Sequence, residues 1–164
     1  MGTSIKFCKE SDIEFLVGII DEQLDETNQK GDKELIFKNL KSFVKNPTYN
    51  LVLLTTPNLT PFPTIIGGTI VKINRPFWRN VNYGSISWFF IRKKYRNFRN
   101  AKKLLTASEK WLEDRNVQWI ESDVWHVDQR GQINKFYVER YKTFLEKINN
   151  YELCGYRLKK NGRK

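Results

Sequence analysis

The stretch that most limits the fold runs from "YGSISWFFI" (83–91) through "RKKYRNFRN" to "VQWIESDVW" (117–125). Its first part reads as a β-strand. Its middle part is a short basic turn. Ala101, Leu104, Leu105, Ser108, Trp111 and Leu112 then recur at helical spacing, predicting a helix from about 99 to 115. Asn116 stands where a left-handed C-terminal residue is wanted, and the last part reads as a second strand. Two strands joined through a helix pair in parallel by a right-handed crossover.

The rest of the chain is arranged around that unit. "TSIKF" alternates as a first strand. "SDIE" (11–14) has the form of a capping box, and Ile13, Leu16, Val17, Ile20 and Leu24 mark a helix over roughly 12–25. Asp32 can cap a second helix carrying Ile36, Leu40, Phe43 and Val44, which Pro47 ends. "YNLVLLTT", "TIIGGTIVKI" and "YGSISWFFI" form an antiparallel meander, with a three-proline turn and a loop at "NRPFWRNVN" between them. The Gly67–Gly68 pair suggests a bulge or a close backbone approach. The last forty residues admit two readings: one long helix, or a helix ending near Tyr141 before a hairpin turning at Asn149–Asn150. The favoured reading keeps a helix to at least Tyr141 and a strand at about 151–159. The expected order is β-α-α-β-β-β-α-β-α-β, an α/β (α+β) chain. Its sheet is mixed and mostly antiparallel, of six to seven strands, with helices on both faces. A single domain over 1–160 and a basic tail at 161–164 follow.

Charge is segregated. Of 18 acids, nine lie between Glu10 and Glu34, and none lies from Leu35 to Ser108, where thirteen Lys and Arg fall. Such a block attracts phosphate groups. No apolar run is long enough to span a bilayer, and the first residues lack a secretory pattern. Cys8 and Cys154 match no metal spacing, which suits free thiols in a reducing compartment. The expectation is a cytoplasmic protein without a metal or membrane partner.

The turn itself is the best chemical clue. "IRKKYRNFRNAKKLL" (91–105) holds seven Lys or Arg and no acid. Where a turn enters a helix, unpaired N–H groups and the positive dipole end make an anion site. Arg96, Arg99 and Lys102 can add charge-assisted hydrogen bonds, so the expected ligand group is a diphosphate.

From Phe90 through Leu105, with Trp111 and "VQWIESDV" following, the chain resembles motif A of the GNAT superfamily of N-acetyltransferases. Ile91 stands for the motif's valine, Tyr95–Arg96 for its tyrosine–arginine, and "RNFRNA" (96–101) for its signature Q/R-x-x-G-x-G/A. Arg99 occupies the first glycine position, and only Ala101 is small, so the signature is degenerate. The resemblance implies acyl transfer from acetyl-CoA to an amine. It places the pantetheine arm along the backbones of Phe90, Ile91 and Arg92, where an N–H can serve the thioester oxygen. The pyrophosphate would lie on Arg96, Asn97, Phe98, Arg99, Asn100, Ala101 and Lys102.

The resemblance also implies an acid for the departing thiolate, and Tyr137 in "INKFYVER" holds about that place, with Tyr141 as fallback. Glu121, Asp123 and His126 are weaker candidates as bases; an amine already partly deprotonated needs none. Neither cysteine has a neighbouring histidine or basic motif, which favours direct transfer in a ternary complex. The acceptor is expected to be an amine on a small molecule, a protein or a nucleic acid. The alternative is a GNAT-like module without catalysis that binds nucleic acid through Phe77, Trp78, Arg79, Phe98 and Arg99.

Overall fold

The structure is a computed structural model that describes residues 2–57, 63–123, 152–154 and 157–161. Strand β1 (Ser4–Phe7) leads through a 3-10 turn at Glu10–Asp12 into helices α1 (Ile13–Glu26) and α2 (Lys33–Lys45). The meander follows as β2 (Tyr49–Thr56), β3 (Thr64–Asn74) and β4 (Tyr83–Ile91). Helix α3 (Phe98–Glu113) connects β4 to β5 (Trp119–Asp123), and β6 (Glu152–Cys154) and β7 (Arg157–Asn161) complete the sheet. The seven strands lie in the order β1-β2-β3-β4-β5-β7-β6. Among the described strands only β4 and β5 pair in parallel, as the strand–helix–strand pattern requires.

The sheet separates two apolar layers. Val52, Leu54, Ile66, Val71 and Ile86 pack with Leu104, Leu105 and Leu112 of α3. Leu51, Leu53, Ile65 and Phe90 face Ile13, Leu16 and Ile19 of α1 and Leu40 of α2. Strand β2 therefore buries both faces, which is why its sequence is almost continuously apolar. Each such buried aliphatic side chain contributes about 1.5–3 kcal/mol through loss of water contact. Gly84 sets the closeness of α3 to β4, because a Cβ there would lie 2.7 Å from Leu112 Cδ1.

Several local expectations hold. Asp32 caps α2 by accepting from the N–H groups of Glu34 and Leu35 at 3.0 and 3.1 Å. Asn116 has φ 56, in the left-handed region. The register of β2 against β3 shifts at Ile66, beside Gly67, where an added Cβ would meet the Phe90 carbonyl at 2.6 Å.

Others are corrected. Ser11 does not cap α1; the chain enters through the 3-10 turn, where the Lys9 N–H donates to Asp12 Oδ2 at 2.9 Å. Asp12 also pairs with Lys6 at 2.6 Å, which fixes it as the anchor of that turn. Helix α3 starts one residue earlier than expected, at Phe98, after a 3-10 turn at Lys93–Tyr95. The strand expected at 151–159 is two strands, β6 and β7, paired antiparallel, and β7 reaches Asn161, inside the segment read as a tail. The helix expected to reach Tyr141 lies outside the described residues.

Candidate active site

The β4–β5 ladder is short. Gly84, Ser85 and Ile86 pair with Ile120, Glu121 and Ser122, and no further pair forms among the described residues. At the same point β4 is irregular against β3: Val71 opposes Ile86 but Ile70 opposes Trp88, leaving Ser87 as an extra residue. A bulge bends its strand and increases the local twist. Beyond it, no strand among the described residues pairs with the second edge of β4, from Ser87 to Ile91. The bulge also resets side-chain alternation, so the adjacent residues Ser87 and Trp88 face the same side, lining one cleft with Ser85.

Backbone direction follows from one hydrogen bond. The Arg92 N–H donates to the Ile66 carbonyl at 2.9 Å, toward β3. Successive amides along an extended strand point to opposite edges. The Ile91 N–H is thereby turned away from β3, to the other edge of β4. The Ile91 carbonyl accepts from Arg96 Nε at 2.6 Å. Of the three backbones expected along the pantetheine arm, Ile91 presents its donor to the gap, whereas Phe90 and Arg92 are committed to β3 and the side chain of Phe90 is core.

Past β4 the chain makes its 3-10 turn and enters α3. Asn97 caps the helix, its Oδ1 accepting from the Asn100 N–H at 2.9 Å. The N–H of Arg99, in the first turn, has no intrahelical acceptor and lies at the positive dipole end. Arg99 and Lys102 are exposed, and neither side chain has a partner among the described residues. Helix α3 carries no acid in its first turn. Positive φ among non-glycine residues occurs only at Asn28 and Asn116 within the described chain, so Arg99 in the signature's glycine position is unstrained.

The other basic residues divide differently. Arg96 bonds Glu26 at 2.6 Å and lies 5.1 Å over the Phe90 ring. Arg92 forms a two-point pair with Glu22 at 2.5 and 2.8 Å. These two arginines tie the last turns of α1 to the end of β4, so part of the acidic amino-terminal block is spent on the basic turn. Asn100 is 6% exposed, donates to the Tyr95 carbonyl at 2.8 Å and accepts from Thr3 at 2.9 Å. Its side chain holds the turn together. Phe98 is exposed and Ala101 packs against the α3-side core.

On the α1–α2 side of the sheet, next to the bulge, lies an open cleft of about 470 Å3. Tyr49, Lys72, Asn74, Tyr83, Trp88 and Glu121 are among its walls. Phe43 stacks on Tyr49 at 4.5 Å and Tyr83 on Trp119 at 5.2 Å, stiffening two sides. Trp119 Nε1 donates to Glu121 Oε1 at 3.0 Å, and Trp88 Nε1 donates to Gln23 of α1. Residue-pattern reasoning singled out Glu121 but missed Lys72, Asn74 and Ser85. Their signal was present: polar residues two apart on strands whose neighbours are apolar. Asp123 ends β5, and Tyr137, Tyr141 and His126 lie outside the described residues.

Phe77 and Trp78 are 96% and 69% exposed on the β3–β4 loop. That loop and the Arg96–Lys102 turn sit at opposite ends of β4, about 26 Å apart for nine extended residues. The two aromatic–basic groups do not form one stacking surface.

No family model and no curated protein matches the chain in sequence. Solved structures do match in three dimensions. A GNAT family acetyltransferase from Staphylococcus aureus shares 23% identity at a TM-score of 0.62, covering 82% of this chain and 93% of that one. An aminoglycoside acetyltransferase from an uncultured soil sample shares 14% identity with a TM-score of 0.62, over 94% of both chains. An aminoglycoside N-acetyltransferase solved with CoA shares 10% identity with a TM-score of 0.63, over 87% and 86%. These likenesses show that the chain has the fold of the GNAT acetyltransferases.

Proposed function

We infer that the chain is an acetyl-CoA-dependent N-acetyltransferase acting by direct transfer in a ternary complex. One observation carries the reading: the bulge at Ser87 follows the last described pair of the parallel ladder, and the Ile91 N–H on that edge leads to a basic helix terminus. An extended amide-bearing arm can add to such an edge as a further strand. A diphosphate suits the Arg99 N–H, the helix dipole, and the side chains of Arg99 and Lys102. The fit is therefore good for a nucleotide thioester, with Arg96 and Asn100 bracing the site from behind.

The residues then have distinct tasks. Ile91 offers an N–H to the arm or its thioester oxygen. The cleft beside Ser87 admits the amine from the α1–α2 face. A C–N bond forms as the C–S bond breaks, the nitrogen gives up a proton, and the sulfur takes one, for which Tyr137 is our assigned donor. Glu121 lines the same cleft. Calorimetry with acetyl-CoA and a thiol-release assay with an amine panel test this reading. Micromolar binding and amine-dependent release of thiol support it. No heat with acetyl-CoA overturns it.

A further inference from the structure

We propose that the acceptor is a small amine carrying its own carboxylate or phosphate, with Lys72 holding that anion. The proposal rests on the transferase reading above. Four strands place one row of side chains across the floor of the cleft. Tyr49 pairs with Lys72, Lys72 with Ser85, and Ser85 with Glu121. Directly opposed residues in a sheet share a face, so this rank runs aromatic, ammonium, hydroxyl, carboxylate. All four line the cleft. Two strand spacings separate Lys72 from Glu121, about 10 Å between backbones.

Lys72 is the cation and Glu121 the anion among the described lining residues. The Lys72 ammonium lies 5.2 Å from the Tyr49 ring and has no carboxylate partner among the described residues. Asn74 donates to Ser85 Oγ at 2.9 Å, which leaves the Ser85 hydroxyl proton directed at another acceptor. A ligand with an anionic end over Lys72 and Ser85 and its amine toward β5 matches that cation and hydroxyl. Its nitrogen then lies on the β5 side, past the last described β4–β5 pair, where the thioester would lie. A polycationic aminoglycoside, the ligand class in the names of two structural neighbours, meets a lysine at the centre of the row instead.

The experiment uses the full chain with acetyl-CoA and pairs of acceptors: amino acids against the amines that lack the carboxylate, and phosphoethanolamine against ethanolamine. We expect kcat/KM to favour the anionic member of at least one pair by about tenfold or more, as a site built around a charged partner discriminates. Lys72→Gln should level that preference and Lys72→Glu reverse it, with acetyl-CoA affinity measured alongside to show that the donor site is intact. Equal or better turnover of the non-anionic amines or of an aminoglycoside overturns the proposal, as does a preference that survives Lys72→Glu. Binding of acetyl-CoA without transfer to any anionic amine also overturns it while leaving the donor site standing. Absence of acetyl-CoA binding overturns the transferase reading itself.

Discussion

Arg96 and Arg99 lie three residues apart in the same basic turn, yet the structure assigns them different work, and replacing each by alanine separates the two. Arg96 donates to a main-chain carbonyl at 2.6 Å, pairs with Glu26 at 2.6 Å and covers the Phe90 ring. The ion pair is 43% and 39% exposed on its two sides, so solvent screening limits it to about 0.2–1 kcal/mol. The charged hydrogen bond to Ile91, half-buried, adds about 1 kcal/mol, and the ring contact about 0.5 kcal/mol. Arg96→Ala should therefore destabilise the fold by about 2 kcal/mol. Arg99 is exposed and touches nothing described, so Arg99→Ala should change stability by less than about 0.5 kcal/mol. For a diphosphate at the helix terminus, loss of one partly screened charge amounts to about 1–1.5 kcal/mol, or roughly tenfold in affinity. Urea unfolding gives the first pair of numbers and calorimetry with CoA the second. The reasoning is refuted if Arg99→Ala unfolds the chain while Arg96→Ala alone weakens CoA. It is equally refuted if both variants bind CoA as the parent does.

Other outcomes follow from single contacts. Gly84→Ala should cost about 1–3 kcal/mol by driving a methyl group into Leu112, read as a lower urea midpoint. Asp32→Ala removes the acceptor for two helix N–H groups and should lower stability by about 1 kcal/mol in the same assay. Burial, with Asp12 adding to it, pushes the Cys8 thiol up to about 12. A raised pKa means that the folded state holds the proton more tightly. Its contribution to stability is intact below the ordinary thiol range and is lost as pH rises toward 12. Peptide mapping after iodoacetamide at mildly alkaline pH should show Cys8 alkylated at least about tenfold more slowly in the native chain than in urea.

Helix periodicity and turn chemistry were readable because they are local. The stripes of α1, α2 and α3, the Asp32 cap and the left-handed Asn116 each depend on residues within a few positions of one another. The strand–helix–strand pattern gave the parallel pair by the same logic. The bulge was hidden because "SISWFFI" contains no glycine beside it. Strict alternation puts Ile86, Trp88 and Phe90 on one face, whereas Ile86 packs toward α3 and the other two toward α1. The pairs Arg92–Glu22 and Arg96–Glu26 span seventy residues, so no local pattern announces them. The separation of acids from bases along the chain was their only trace. The basic turn is therefore not uniform: Arg92 and Arg96 pair with Glu22 and Glu26, whereas the side chains of Arg99 and Lys102 have no partner among the described residues.

Amide hydrogen exchange followed by NMR, with and without saturating acetyl-CoA, tests the donor site most directly. The account predicts that ligand slows exchange at Ile91, on the edge of β4 turned away from β3, and at Arg99, in the first turn of α3, with little change at Phe90 and Arg92, whose amides face β3. Exchange at Ile91 and Arg99 that is unaltered by a ligand shown to bind would contradict it.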